Sequence, residues 1–149
     1  PSVGGGQGDR FTQLLKPPET PVCYFQANDQ KAPDSILFGK EAEEVARKLA
    51  KVPASQLRRF YAEVMALKRR AELTDISDAE IVAQLSLLRA KAAYTVARKP
   101  SYPNELVAFF NRHAHSVKTK NDFLRGFQPH FEAVMAFHKV FDENKGNAA

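Results

Sequence analysis

From Lys40 onward, apolar residues recur every three or four positions, and each run closes at a proline, a capping residue or a polar turn. This period predicts a succession of amphipathic helices. Ala42, Val45, Ala46 and Leu49 share the first apolar face, which ends before Pro53 because a residue preceding proline is steered out of helical geometry. The second helix runs from about Ser55 to Leu73, with Leu57, Phe60, Tyr61, Val64, Leu67 and Ala71 in one stripe. Thr74 and Asp75 break it. Ser77 followed by Glu80 forms a capping box that opens a third helix, Asp78 to Arg98.

The third helix has two apolar stripes. Ile81, Leu85, Leu88 and Ala92 form one, and Leu87 and Tyr94 with Ala83, Ala90 and Ala97 form the other, so this helix is expected at the centre, covered twice. A stiff connector, Lys99 to Asn104, leads to a fourth helix from Glu105 to about Ser116 with Leu106, Phe109, Phe110 and His113 inward. The basic loop Val117-Lys118-Thr119-Lys120 follows. Asn121 or Asp122 is expected to cap a fifth helix whose inward positions are Phe123, Phe127, His130, Val134, Phe137 and Phe141. No segment reads as a strand and no internal repeat is present.

Residues 1–35 carry the glycine cluster Gly4 to Gly8 and five of the nine prolines, with neither period sustained. They read as a flexible N-terminal arm in which Val22-Cys23-Tyr24-Phe25 is a short apolar run able to dock on the core or a partner. The glycine cluster lacks the strand-before, helix-after context of a phosphate-binding loop. The expected organisation is an all-α, single-domain bundle of about five helices over 36–143, preceded by the arm at 1–35 and followed by a disordered tail at 144–149.

Composition narrows the picture. A chain of 149 residues with 44% apolar content can bury a sizeable core without disulfide or metal, and 11 phenylalanines with no tryptophan point to a core of phenylalanine. The single cysteine, Cys23, fits a reducing cytosol, the start lacks the features of a signal peptide, and no apolar run approaches the roughly 20 residues of a membrane span. A cytoplasmic protein with no membrane partner is expected.

The net charge of +5 is uneven: residues 1–52 carry seven basic and seven acidic side chains, whereas Arg89 to Arg125 carry eight basic and two acidic. Such clustering is the footprint of a polyanion binder, and also occurs as a plain solvated surface. On the second helix, Arg58 and Arg69 fall about three turns apart on one flank, and Arg59 and Arg70 on the next, with Ala62 and Ala66 between. A phosphate chain could lie close on the alanines while each guanidinium offers its fork of donors. On the third helix, Lys91 and Arg98 flank Leu87 and Tyr94; Tyr94 can stack on a base, although packing is the expected role of an aromatic on a central helix. Lys118, Lys120 and Arg125 form a third group, where Asn121 and a helix N-terminus add amide donors favouring anions.

No catalytic constellation emerges. His113 and His115 point to nearly opposite sides of a helix, His130 lies in the apolar stripe and His138 on its flank, so core or edge histidines are expected, not metal ligands. Cys23 has no histidine near it in sequence, Ser101 sits between prolines without an elbow motif, and Glu63, Glu80, Glu105 and Glu132 fall on polar faces. Neither an enzyme nor a cofactor is expected.

Three segments, Gln56 to Val64, then Ala90 to Tyr94 with Arg98, then Asp122-Phe123 leading to Phe131 to Lys139, together resemble the small subunit of the type III-A CRISPR effector, the Csm complex, over about residues 50–141. The resemblance implies a non-catalytic helical bundle present in several copies of itself along a ribonucleoprotein filament that serves antiviral defence. Its implied partners are the guide RNA, the target RNA, repeat-family backbone subunits and a large polymerase-like subunit. Small subunits of this kind line the guide/target channel and contact phosphates without reading sequence. The family's basic positions fall on Arg58, Arg59, Lys91 and Arg98; Lys68, Arg69, Arg89, Lys118, Lys120 and Arg125 are added from the wheel and the loop. Phe137 replaces the family's more usual Tyr, the arm is longer than expected, and Pro129 interrupts the last helix. Because proline clashes with the carbonyl of Arg125, a kink or a fresh helix start near Gln128 is expected. The competing reading is a helical oligomerisation module with a solvated basic face.

Overall fold

The computed structural model describes residues 2–27 and 29–144. Helix α1 spans Ser2–Leu14. A two-residue strand β1, Phe25–Gln26, pairs antiparallel with β2, Asp29–Pro33, with Phe25 opposite Pro33 and Gln26 opposite Asp29. A 3₁₀ turn at Ser35–Phe38 leads into α2 (Lys40–Lys48), α3 (Ala54–Leu73), α4 (Asp78–Arg98) and α5 (Glu105–Ser116). A π-helical stretch, Asp122–Phe127, runs directly into α6 (Gln128–Phe141). The expected all-α bundle is what the chain forms, with a short two-stranded ladder that the sequence did not announce.

α5 lies against α4, while α6 packs against α2 and α3. At the centre, Phe109 contacts Phe110 edge-on at 5.1 Å between ring centroids, and Phe131 at 5.3 Å. Phe109, Phe123, Phe127 and Phe131 are all fully buried. Offset and edge-on pairs of this kind add roughly 0.5–1.5 kcal/mol each beyond area burial.

The helix boundaries follow local chemistry. Pro53, in extended geometry, precedes α3, and Ser77 Oγ accepts the Glu80 amide at 3.1 Å to open α4; this is half of the expected capping box, since the Glu80 carboxylate turns to Gln84 and Arg70 in place of the Ser77 amide. The carbonyls left open at the end of α2 are met from outside: His138 Nε2 lies 3.1 Å from the Leu49 oxygen and 2.9 Å from that of Val52.

The last helix begins differently from expectation. Thr119 Oγ accepts the Asp122 amide at 3.0 Å and Asp122 Oδ2 accepts the Thr119 amide at 3.2 Å, so the cap is Thr119 and Asp122 is its reciprocal partner. No fresh start appears at Gln128: the backbone stays helical through Phe127 and Gln128, and α6 follows the preceding turn without a break. The turn before Pro129 widens to the π form, with the Gln128 amide bonded to the Phe123 carbonyl, which relieves the clash that an α-helical register would create.

α4 also departs from the expected pattern. Ile81, Leu85, Leu88 and Ala92 are buried, but the second stripe is open: Tyr94 is 64% and Leu87 48% exposed, with Ala83, Ala90 and Ala97 exposed beside them. Periodicity marks that stripe as apolar; it does not supply a neighbour to cover it. Within 1–35, where no periodic element was expected, α1 and the ladder are tied to the bundle. Arg10 donates to Asn104 Oδ1, at 2.6 Å, and to the carbonyls of Pro100 and Tyr102. Phe11, Leu14 and Leu15 pack on the core, and Tyr24 is buried in it, so the apolar run docks. The expected tail lies outside the described residues from 145 onward.

Candidate nucleic-acid interface

The buried side of α3 carries Leu57, Phe60, Val64, Leu67 and Ala71, which turns Arg58 and Arg69 outward, with Ala62 and Ala66 exposed between them. Arg59 is also exposed and faces α4. Among the described residues, Arg58, Arg59 and Arg69 make no side-chain hydrogen bond or ion pair, so their donors stand free for an outside acceptor. Arg70, next round the helix, is 3.8 Å from Glu80. Lys68 is half-buried.

Between α3 and α4 runs a groove. At one end it holds about 380 Å³ and is lined by Gln56, Arg59, Tyr94, Thr95, Arg98 and Lys99. Arg98 stands 5.7 Å from the centroid of the Tyr94 ring. Further along, Lys91 is bonded to Glu63 across the groove, an exposed ion pair that joins the helices and occupies the ammonium. Lys99 and Gln56 were not singled out from sequence. Lys99 follows α4 at the connector, and Gln56 precedes Arg59 by one turn, so only the packing of α3 on α4 reveals that they line one groove.

Two groups of candidates behave otherwise. Arg89 turns toward α5: its Nε donates to Asn111 Oδ1 at 2.7 Å and one terminal nitrogen to the Leu15 carbonyl at 2.8 Å. It is an internal tie for the segment after α1, set about 200° round the helix from Lys91. In the basic loop, Lys118 and Lys120 lie beside the start of α4, at the end of that helix opposite Arg98, and Arg125 is exposed on the π-helical turn. The loop amides are not free for an anion. Asp122 accepts from Lys118 and Thr119, and Asp78 accepts the Lys120 amide at 2.7 Å.

His113, His130 and His138 are buried, and His115 is half-buried with its Nδ1 2.9 Å from the Asn111 carbonyl. His130 Nδ1 donates to the Leu37 carbonyl, and Tyr24 Oη meets His113 Nδ1 at 2.7 Å. His113 Nε2 is buried without a hydrogen-bond partner among the described residues. Burial, then the neighbouring His130 and Arg112, hold His113 well below the ordinary imidazole range; burial also lowers His130, against the pull of its bond to Leu37. Burial pushes the Tyr24 phenol up. Beside them a cavity of about 540 Å³ is flanked by Arg112, whose guanidinium is 2.8 Å from Glu105. Among the described residues no group of three or more His, Cys, Asp or Glu side chains is placed to hold a metal, and no helix is long and apolar enough to cross a membrane.

Of the exposed arginines, Arg58, Arg59 and Arg98 sit on the segments that carried the family resemblance, while Arg69 lies one turn and more beyond the first of them. No curated protein and no solved structure matches the chain. A family model described as Csm2 Type III-A does match, over residues 32–144, a span that contains α2 to α6 and every candidate basic residue. The chain belongs to the Csm2 Type III-A family, the small subunit of the type III-A CRISPR–Cas effector.

Proposed function

We propose that this protein is a non-catalytic subunit that lines the guide/target RNA channel of the effector and grips the RNA backbone without reading its sequence. The carrying observation is the outer flank of α3, where Arg58, Arg59 and Arg69 are exposed and unpaired among the described residues, around Ala62 and Ala66. Small residues let a sugar-phosphate chain approach, and free guanidinium groups receive its oxygens in pairs. Arg98 and Lys91 extend the cationic surface across the groove, with Lys118, Lys120, Arg125 and Lys68 as its outer members. Arg89 is a tie within the fold in this reading. Residues 36–143 are the RNA-binding unit and 1–35 an appended arm. The partners are guide and target RNA, further copies of the chain, repeat-family backbone subunits and the large polymerase-like subunit, in the cytoplasm and in antiviral defence; cleavage belongs to other subunits.

Backbone contacts release condensed counterions, so RNA affinity should fall steeply with salt, by roughly 0.7 in the log–log slope per phosphate contacted on a single strand. A titration of the purified protein with RNA across several salt concentrations tests this. A slope near zero, or no binding at low salt, contradicts it. A second reading, a helical interaction module, is favoured by the open stripe of Leu87, Ala83 and Ala90 on α4.

A further inference from the structure

We infer that the groove between α3 and α4 is a pocket for one unpaired RNA nucleotide, whose base lies on the ring of Tyr94 and whose phosphate is held by Arg59, Arg98 and Lys99. The inference rests on the RNA-backbone reading above and names the form of RNA this part of the surface takes. An exposed tyrosine is ordinary by itself. The setting of Tyr94 is what distinguishes it: the space beside it, about 380 Å³, is walled by three cations and no carboxylate. That is room for a compact ligand. It joins a π-face to a concentrated positive charge, and a nucleotide carries the complement of both: a flat ring that stacks and an anion one sugar away.

A continuous duplex makes poor use of such a pocket. Its bases are stacked on one another and only phosphates and groove edges are presented, so an aromatic ring finds nothing to lie against. A nucleotide turned out of the stack does find it. The Arg98 guanidinium already stands over the ring, 5.7 Å from its centroid, so a base stacking there slides in beside or displaces that cation and leaves it within reach of the phosphate. The remaining walls are neutral hydrogen-bonding groups. Gln56 offers both donor and acceptor, and the Thr95 hydroxyl, which donates to the Lys91 carbonyl at 2.9 Å, keeps its lone pairs for the ligand. These can pair with the edge of any base, consistent with a pocket that takes a nucleotide without selecting which. The Lys91–Glu63 bridge closes the groove on the side toward Leu87 and limits the occupant to that end.

The test uses the full chain with a short single-stranded RNA carrying one 2-aminopurine, and a fully paired duplex of the same length. Wild type should quench the 2-aminopurine on binding. Tyr94→Ala should weaken single-strand binding by roughly ten-fold or more and abolish the quench, with duplex affinity unchanged. Tyr94→Phe should keep both, because the ring, not the hydroxyl, does the stacking. If Tyr94→Ala lowers both affinities alike or neither, the nucleotide pocket is wrong while the backbone reading stands. If Tyr94→Ala spares RNA but blocks entry into the reconstituted effector, the occupant is a protein segment and the inference fails. Wild type that binds neither RNA at low salt overturns the backbone reading and this inference with it.

Discussion

Gly126 sits inside the π-helical turn against Tyr24, and a Cβ there would stand 2.6 Å from atoms of the Tyr24 side chain. The contact is unusually close because Tyr24 comes from a distant segment and drives its hydroxyl on to His113. Gly126→Ala should therefore destabilise the fold by about 1–3 kcal/mol, read from urea unfolding, as overpacked sites do. Tyr24→Phe tests the other end of the ring: it leaves His113 without a partner on either nitrogen and should cost roughly 0.5–1.5 kcal/mol. The pH dependence belongs to the same cluster. His113 and His130 are held neutral in the folded chain, below their ordinary pKa, so the unfolded chain binds more protons as pH falls below about 6.5. Stability should be full above that value and should decline under it by at most about 1.4 kcal/mol per pH unit per histidine. Unfolding midpoints between about pH 7 and pH 5 check it, and His113→Gln should flatten the decline. Sequence placed both histidines inward. It could not show that His113 leans on a tyrosine 89 positions away.

At the scale of elements, the runs of period 3.6 located α2 to α5 almost to the residue, because caps and prolines bracket each run. Where a boundary depended on hydrogen bonds between neighbours in sequence, as at Ser77–Glu80, it was readable; where two local solutions compete, as at Thr119–Asp122 against a cap at Asn121, it was not. Pro129 predicted a disturbance near Gln128 but not that the helix would run on through a π turn, since the lost amide can be accommodated in several ways. The arm shows a different limit. Arg10 reaches the connector at Asn104, and Arg89 reaches Leu15, through contacts with no period to betray them. Across the α3–α4 groove, Glu63 holds Lys91 and places a carboxylate at the edge of the cationic surface. Both side chains are nearly half exposed, so solvent screens the pair, and its removal should change stability by less than about 1 kcal/mol. Glu63→Gln should nevertheless strengthen RNA binding, since it frees the ammonium and deletes the opposing charge. A titration beside a thermal melt separates the two effects; weaker RNA binding with an unchanged melt would place Lys91 outside the interface.

For the whole molecule, the uneven charge was visible from the start, with the excess confined to residues 53–149. Counting treats all cations alike, and folding does not. It sends Arg89 inward, pairs Lys91 and Arg70 with acids, and leaves Arg58, Arg59 and Arg69 open on one helix. The surface that results is narrower than the list of basic residues and sharper as a hypothesis. It predicts that charge reversal by Arg58→Glu with Arg59→Glu removes attraction and adds repulsion where the phosphates lie. The direct measurement is capture of target RNA by the effector reconstituted with this double variant, alongside circular dichroism of the free chain. Capture should weaken, and weaken most at low salt, while helical content is unchanged. Capture equal to wild type by a fully assembled complex would contradict the claim that this face holds RNA.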